Sequence, residues 1–223
     1  MSSPEVLVIA RLPFRSKELR VQAQEKTAAI MKHVLDNEPR VNKYAVCVPA
    51  SEDDGKTIWM IEEYADQAAF DAHNAAACVK DIIAWLGAAS PFGDEPPSVR
   101  RPQYVGVEYR FTNPAVSGHK EPHVVIADSV YTPGGATKAL PSWQAVIGAA
   151  QKQEPGTLSY GLLRQEGEED TLSTLEVYES SRFREVHDSS DAVAAHVRET
   201  KSLRTGVEHH VLKVVDGFFH RPG

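Results

Sequence analysis

The sequence predicts an α+β protein made of two tandem ferredoxin-like domains, and two observations carry this prediction. The first is an internal repeat: residues 38–44 match residues 154–160 without a gap, and His73 falls on His187. A single offset of 114 to 117 residues relates all the matched positions, which is typical of two copies of one domain. The second is the order of elements in each copy, β-α-β-β-α-β, which specifies a ferredoxin-like sandwich.

The first copy contains four predicted strands and two predicted helices. Ser16 is a suitable N-cap for the first helix. Pro39 ends that helix, because the residue before a proline is pushed out of helical geometry. Asp66 caps a second helix that runs through His73. The continuation of this helix has an amphipathic pattern. A polar turn at residues 51–56 joins the two middle strands. The strands are predicted at residues 5–12, 41–48, 57–64 and 103–111.

The second copy repeats this order. One helix carries Trp143 on its buried side and ends at Pro155, and another begins at Ser180. A hairpin around Gly167 joins the middle strands. The strands are predicted at residues 123–131, 157–164, 171–178 and 207–219.

We therefore expect a first domain at residues 1–112 and a second at residues 123–223, joined by a linker at residues 113–122. In each domain both helices cover one face of a four-stranded antiparallel sheet, which leaves the other face bare. We expect the two bare faces to pack sheet to sheet, as an intrachain pseudo-dimer barrel. Whether two chains associate further into a homodimer through free sheet edges stays open.

Composition excludes several classes of partner. The net charge of −7 offers no electrostatic hold on nucleic acid or on an anionic membrane, and no apolar run approaches the roughly 20 residues of a membrane span. The first residues lack a basic region followed by an apolar core, so no signal peptide is expected. Cys47 and Cys78 lie in one half without counterparts in the other, which favours a reducing cytoplasmic location.

Two stretches of sequence, residues 64–76 and 178–190, carry a resemblance to a known family. Each begins with a tyrosine that follows an acidic residue by two positions, and each continues into a helix with a phenylalanine and a histidine. They resemble the antibiotic biosynthesis monooxygenase family, in which a strand ends in acidic-x-Tyr or Trp and the next helix carries an aromatic residue, His and Ser. The resemblance covers both halves, in a tandem two-domain form, and implies the dimeric α+β barrel superfamily.

The resemblance implies an activity but leaves alternatives open. The superfamily includes cofactor-free oxygenases of aromatic polyketides, haem-degrading enzymes, isomerases and decarboxylases. The resemblance to the monooxygenase family implies an enzyme of secondary metabolism that needs no cofactor. Its substrates would be dioxygen and a small hydrophobic phenolic or polyketide-type aromatic compound. A redox-neutral cyclase, decarboxylase or isomerase, or a small-molecule binding protein, remains the alternative, because one scaffold can host many functions.

The chain also departs from parts of this pattern. Haem-degrading relatives use a second histidine five residues after the first, where this chain has Cys78 and Ala192, so we expect no haem. Only Glu208 and His210 of the Glu-His-His run share a strand face, and two ligands do not make a metal site. We expect neither a metal nor another cofactor.

The candidate catalytic residues are those that the repeat supports, His187, His73 and Glu176. A histidine can accept a proton near neutral pH, and Glu176 lies on the same strand face as Tyr178, where it could orient the histidine or act as the base. The alternatives are that the histidines pin a helix to the sheet and that the glutamate forms a salt bridge.

Aromatic side chains are the candidates for binding a flat substrate, and Tyr or Trp donors could stabilise an oxyanion. Phe70 precedes its histidine by three residues and Phe183 by four, so the two pockets are not identical. The second half is richer in polar and aromatic candidates, and we expect it to be the active one. The predicted substrate-binding residues are Tyr131, Trp143, Tyr160, Tyr178, Phe183, Tyr44, Tyr64 and Phe70.

Overall fold

The computed structural model describes residues 4–51 and 55–221, which form two compact units. The first unit comprises the described residues of Met1–Arg101 and Val214–Gly223, and the second comprises Pro102–Lys213. The expectation about a signal peptide and the centre of the turn at residues 51–56 fall on residues outside the described part of the chain. None of the helices in the described part is both long and apolar enough to cross a membrane.

The first unit is an antiparallel sheet with helices on one face. Its main elements are β1 (Val6–Pro13), α1 (Lys17–Asn37), β2 (Val41–Pro49), β3 (Thr57–Tyr64), α2 (Gln67–Ala75), α3 (Ala77–Ala89) and β4 (Ser98–Arg100). The sheet order is β4-β1-β3-β2. Ser16 and Asp66 cap α1 and α2, as expected, through hydrogen bonds that their side chains accept from the amides of Leu19 and Ala69. Ala76 adopts an extended conformation and divides the predicted second helix into α2 and α3.

The core of the first unit lies between the sheet and α1. Ile30 and Val34 from α1 pack with Tyr44 from β2 and with Ile58 and Met60 from β3. Alternate strand residues point to the same face, so Glu62, two positions after Met60, lies on this helix-covered face. A carboxylate is thereby placed beneath the helices.

The second unit repeats the arrangement with its own elements. These are β5 (Gln103–Tyr104), β6 (Arg110–Thr112), β7 (His123–Tyr131), α4 (Gly135–Gln153), β8 (Thr157–Arg164), β9 (Thr171–Tyr178), α5 (Ser181–Asp188), α6 (Asp191–Thr200) and β10 (Arg204–Phe218). The sheet order is β10-β7-β9-β8-β5, and β6 also pairs with β8. The order strand, helix, two strands, helix confirms two ferredoxin-like repeats, while their sheet-to-sheet packing stays a prediction.

Two terminal strands differ from the sequence prediction. Residues 103–111 were expected as one strand closing the first domain. They form β5 and β6, separated by a 3-10 turn at Val107–Tyr109, and both pair with β8 of the second unit. An apolar, β-branched run predicts a strand but not its partner, and Gly161 on β8 leaves room for the ring of Tyr104.

The last strand, β10, is divided between the two units. Arg204 to Lys213 of β10 pair with β7, as expected for the second sheet, but Val214–Gly223 belong to the first unit. At Gly217 this end of β10 approaches the backbone of β2 closely. The residue has a φ of +105°, and an added Cβ would lie 2.0 Å from the carbonyl oxygen of Tyr44. The two compact units divide the chain between Arg101 and Pro102 and between Lys213 and Val214, and the domain limits at residues 112 and 123 stay a prediction. Within the expected linker, Pro114–Gly118 form a 3-10 helix that buries Val116.

Candidate functional site

A buried histidine–glutamate pair forms the centre of the second unit's candidate site. His187 lies in the last turn of α5 and is 3% exposed. Its Nδ1 is 2.8 Å from Oε2 of Glu154. Glu154 is the C-cap residue of α4, where Pro155 ends the helix, and it also accepts a hydrogen bond of 2.8 Å from the Thr157 hydroxyl. The end of one helix thus presents a fixed carboxylate to the end of another.

This pair is electrostatically coupled. Burial alone would lower the pKa of His187, but the hydrogen bond to Glu154 and the nearby carboxylates outweigh burial and raise it above its usual 6.5. Burial would raise the pKa of Glu154, but the hydrogen bond and charge of His187 outweigh it and lower that pKa. Both shifts favour the ionised pair. When neutral, His187 carries its hydrogen on Nδ1 toward Glu154 and leaves the lone pair on Nε2.

A second carboxylate, Glu176, is held by three hydroxyl groups. Tyr160 donates to its Oε1 at 2.9 Å, Thr174 to Oε1 at 2.6 Å, and Tyr178 to Oε2 at 2.7 Å. The geometry follows from the sheet: Thr174, Glu176 and Tyr178 alternate along β9 onto one face, and Tyr160 on β8 lies opposite Glu176. Both oxygens of the Glu176 carboxylate therefore accept hydrogen bonds inside the protein. The partner that orients His187 is therefore Glu154, and a catalytic role for Glu176 stays a prediction.

A cavity of about 440 Å³ opens beside this cluster within the second unit. That volume lies in the range of small-molecule sites. Its wall combines aliphatic side chains from the sheet and helices with polar, charged and aromatic groups. The latter include Trp143, Tyr160, Glu176, His187, His196 and Arg204.

Not every predicted lining residue reaches this cavity. Tyr131, Tyr178 and Phe183 stand outside its lining. Tyr131 accepts a hydrogen bond of 2.8 Å from Nε1 of Trp143 and so helps to fix the position of the tryptophan ring. Phe183 packs against Gly156, where an added Cβ would lie 2.1 Å from the ring. The donors expected to stabilise an oxyanion, the Trp143 N–H and the Tyr160 hydroxyl, are already engaged inside the protein.

His196 and Arg204 in the lining were not predicted from sequence. The imidazole of His196 packs on Trp143 with ring centroids 4.0 Å apart and 43° between the planes. Its Nδ1 lies 2.8 Å from Oγ of Ser142. Burial, and then the charge of Arg204, lower the pKa of His196 to about 4. Glu154 was also missed as a functional residue, although the repeat of residues 38–44 and 154–160 included it.

The first unit contains a matching cluster. Nδ1 of His73 lies 2.8 Å from Oε2 of Glu38, and the Tyr64 hydroxyl donates to Glu62 at 2.7 Å. Burial raises the pKa of Glu62. The ring centroids of Tyr44 and Tyr64 lie 5.6 and 5.3 Å from that of His73.

The two clusters differ around this shared centre. By the same offsets, Trp143 corresponds to Thr27 and His196 to Ile82, and Thr174 corresponds to Met60. Phe70 packs edge-on against Tyr64 at 5.3 Å, and the guanidinium of Arg101 lies 4.2 Å from its ring centroid. The first unit thus has the histidine–glutamate pair without the Trp–His wall.

The Glu-His-His run at residues 208–210, which was considered above as a metal site, lies on β10. Nε2 of His210 lies 3.5 Å from Oε1 of Glu208 on the same face of β10. Within residues 4–51 and 55–221, no three or more His, Cys, Asp or Glu side chains are grouped so that they could hold a metal ion.

Comparisons with known proteins agree with the repeated fold. A family model described as antibiotic biosynthesis monooxygenase matches residues 6–85 and 122–199. A candidate monooxygenase from Fusobacterium nucleatum superposes with a TM-score of 0.84 at 15% identity, over 100% of this chain and 97% of that one. A candidate monooxygenase from Lactobacillus acidophilus NCFM gives 0.80 at 12% identity, over 99% of each chain.

A third solved structure, described as an anthrone oxidase-like protein, gives a TM-score of 0.59 at 14% identity, over 97% of this chain and 94% of that one. At these identities the structural likeness shows the fold alone. A search of curated proteins gave no match.

Proposed function

We propose that this chain, which belongs to the antibiotic biosynthesis monooxygenase family, is a cofactor-independent monooxygenase. Its substrate would be a hydrophobic phenolic or polyketide-type aromatic compound of secondary metabolism, oxidised in the cytoplasm. The observation that carries the proposal is the buried His187–Glu154 pair beside a cavity of about 440 Å³ with aliphatic, aromatic and polar walls in the second unit. The likeness to an anthrone oxidase-like protein also supports it.

The first step is removal of a proton from the substrate. His187 lines the cavity, and Glu154 fixes the hydrogen of the neutral ring on Nδ1, so that Nε2 is the basic atom. The charge of Glu154 also stabilises the imidazolium that forms. His187 therefore serves as the general base, and Glu154 positions it.

The second requirement is stabilisation of the resulting anion. The Tyr160 and Trp143 donors already make hydrogen bonds inside the protein. Positively charged groups of the cavity lining therefore stabilise the substrate anion. Arg204 and the newly formed His187 imidazolium are both cavity groups. Inside a protein pocket their attraction for an oxyanion is stronger than in bulk solvent.

The oxidation itself draws its electrons from the substrate. The carbanion gives one electron to dioxygen, the two radicals combine into a peroxide, and the His187 imidazolium returns the proton to it. Loss of water then leaves a new carbonyl group. For an activated CH₂ group the balance is CH₂ + O₂ → C=O + H₂O, so one oxygen atom enters the product and the other leaves as water.

The second unit is the proposed site of this reaction. Its Trp143–His196 wall is replaced by Thr27 and Ile82 at the corresponding positions of the first unit. The His73–Glu38 pair is then assigned to packing, as one of the alternatives raised from the sequence.

Labelled dioxygen tests the proposal. Chelator-treated protein is incubated with 1,8-dihydroxyanthrone under ¹⁸O₂, with heat-inactivated protein as the control for spontaneous oxidation. We expect one atom of ¹⁸O in the new carbonyl group and consumption of one dioxygen per product. Substrate conversion that continues at the same rate under nitrogen would favour the redox-neutral alternative and contradict the monooxygenase.

A further inference from the structure

His196 presents a buried nitrogen that has no partner. The side chain is 3% exposed, and its Nε2 makes no hydrogen bond within the described part of the chain. The residue lines the cavity of the second unit. A buried polar atom without a partner is uncommon in native proteins and calls for an explanation.

The hydrogen bonds around His196 decide what this nitrogen can do. The Ser142 hydroxyl donates to the carbonyl oxygen of Ala139 at 3.0 Å, which uses its only hydrogen. The contact of 2.8 Å between Ser142 and His196 is then a hydrogen bond that Nδ1–H donates to Oγ. The remaining nitrogen, Nε2, carries a lone pair. A pKa of about 4, lowered by burial and by Arg204, keeps the ring neutral at physiological pH.

The imidazole is also held in place. One face packs against Trp143, whose N–H is itself bound to the hydroxyl of Tyr131. On the helix, the Thr200 hydroxyl donates to the carbonyl oxygen of His196 at 2.7 Å, and Ser190 caps α6. His196 is thus a fixed acceptor among the residues that line the cavity, and a polar group held in this way can recognise one donor at one position.

We propose that Nε2 of His196 accepts a hydrogen bond from a hydroxyl group of the aromatic ligand. The cavity would then select ring systems that carry a protonated hydroxyl over the same ring systems without one. This inference rests on the proposed function, because it specifies the substrate class of the same site. It assigns His196 to ligand recognition and leaves proton removal to His187.

The hydroxyl at His196 is distinct from the group that ionises. A neutral acceptor repels an anionic oxygen but binds O–H, whereas the cationic Arg204 and His187 imidazolium favour the anion. A ligand that satisfies both groups carries at least one hydroxyl that stays protonated through the reaction.

Equilibrium binding under nitrogen tests this without any turnover. The probes are 2-naphthol and 2-methoxynaphthalene, which share a ring system and differ in the hydrogen-bond donor. Wild-type protein is expected to bind 2-naphthol at least about tenfold more tightly, since a site built for a hydroxyl rejects the analogue lacking it. His196→Phe keeps an aromatic ring against Trp143 but has no acceptor, and the preference should fall to within about threefold.

His220→Phe is the matched control, because His220 is an exposed histidine outside the cavity lining; it should keep the wild-type preference. As a readout independent of any variant, the ¹⁵N resonance of His196 Nε2 should move when 2-naphthol binds and stay still with 2-methoxynaphthalene. Equal affinities in wild-type protein, a preference that survives in His196→Phe, or no binding of 2-naphthol would overturn the inference. Failure here with intact ¹⁸O incorporation leaves the monooxygenase standing. Selective binding without oxygen uptake contradicts the monooxygenase alone.

Discussion

Nδ1 of His187 lies 2.8 Å from Oε2 of Glu154, where α4 ends and α5 finishes. The equivalent atoms of His73 and Glu38 are also 2.8 Å apart. The internal repeat therefore conserves a buried acid–base pair within one chain, and the differences between the two copies lie around that pair.

Replacing Glu154 with Gln should lower the pKa of His187. The carboxylate is a main cause that raises this pKa against the opposing effect of burial, and a neutral amide removes its charge. NMR titration of the histidine ring measures the change, with Glu38→Gln as the matched variant in the first unit. A His187 pKa that is the same in Glu154→Gln and wild type would contradict the assigned coupling.

The same pair should contribute to stability in a defined pH window. Because the folded-state pKa of His187 is raised, its contribution is complete below about 6.5 and is lost as the pH rises through the folded pKa. Because the pKa of Glu154 is lowered, its contribution is present above about 4.5 and is lost as the pH falls through the folded pKa. Urea unfolding should show the largest difference between wild type and Glu154→Gln between these two values. A difference that does not vary with pH would count against the ion pair.

His196 should weaken the fold in acid. The pKa of His196 is about 4 in the folded protein, and its ordinary value is 6.5. Between these two pH values His196 is therefore protonated in the unfolded chain but neutral in the folded chain. Stability is therefore lost as the pH falls from 6.5 toward 4, by up to about 3 kcal/mol from this group. His196→Phe should have a flatter profile of unfolding free energy over that range, and parallel profiles for the two proteins would exclude the effect.

Tyr178→Phe should cost stability more than activity. Its hydroxyl donates to the buried carboxylate of Glu176 at 2.7 Å, and such a bond contributes about 1.5–3 kcal/mol. Tyr64→Phe is the matched variant, since Tyr64 donates to Glu62 at the same distance. Chemical denaturation measures both, and turnover of Tyr178→Phe should stay within about tenfold of wild type because the ring stands outside the cavity lining. A variant that is fully stable but inactive would reassign Tyr178 to the catalytic site.

Gly217→Ala should destabilise the first unit strongly. The residue has φ of +105°, and a Cβ would approach the carbonyl oxygen of Tyr44 to 2.0 Å, so we expect a loss of more than about 2 kcal/mol. Gly148→Ala is the control: it lies in α4, where an added methyl group would have nothing within 4 Å, and it should gain up to about 1 kcal/mol. Thermal unfolding of both variants provides the comparison, and equal melting temperatures would contradict the close approach at Gly217.

The sequence was sufficient for the repeated fold but not for the strand partners. Period and capping placed α1 at Ser16 and β9 at residues 171–178, because those signals are local. Pairing is not local: residues 103–111 were predicted as a strand from their own composition, but their partner β8 lies more than 40 residues away in sequence and is seen only in the structure.

The site was predictable only where the repeat marked it. His187 and Glu176 stood out because each has a counterpart 114 residues earlier. Glu154 had a counterpart too, but its place before Pro155 identified it only as a landmark. His196 has Ile82 in the other copy, so nothing in the pattern distinguishes it from a core residue of α6.

Dioxygen uptake by three proteins, measured side by side with 1,8-dihydroxyanthrone, tests the central claim most directly. Wild type, His187→Ala and His73→Ala are compared after circular dichroism has shown that each is folded. Loss of a general base should reduce uptake about 100-fold or more in His187→Ala, while His73→Ala should keep a rate near that of wild type. Equal losses in the two variants, or full activity in His187→Ala, would contradict an active site built on His187 in the second unit.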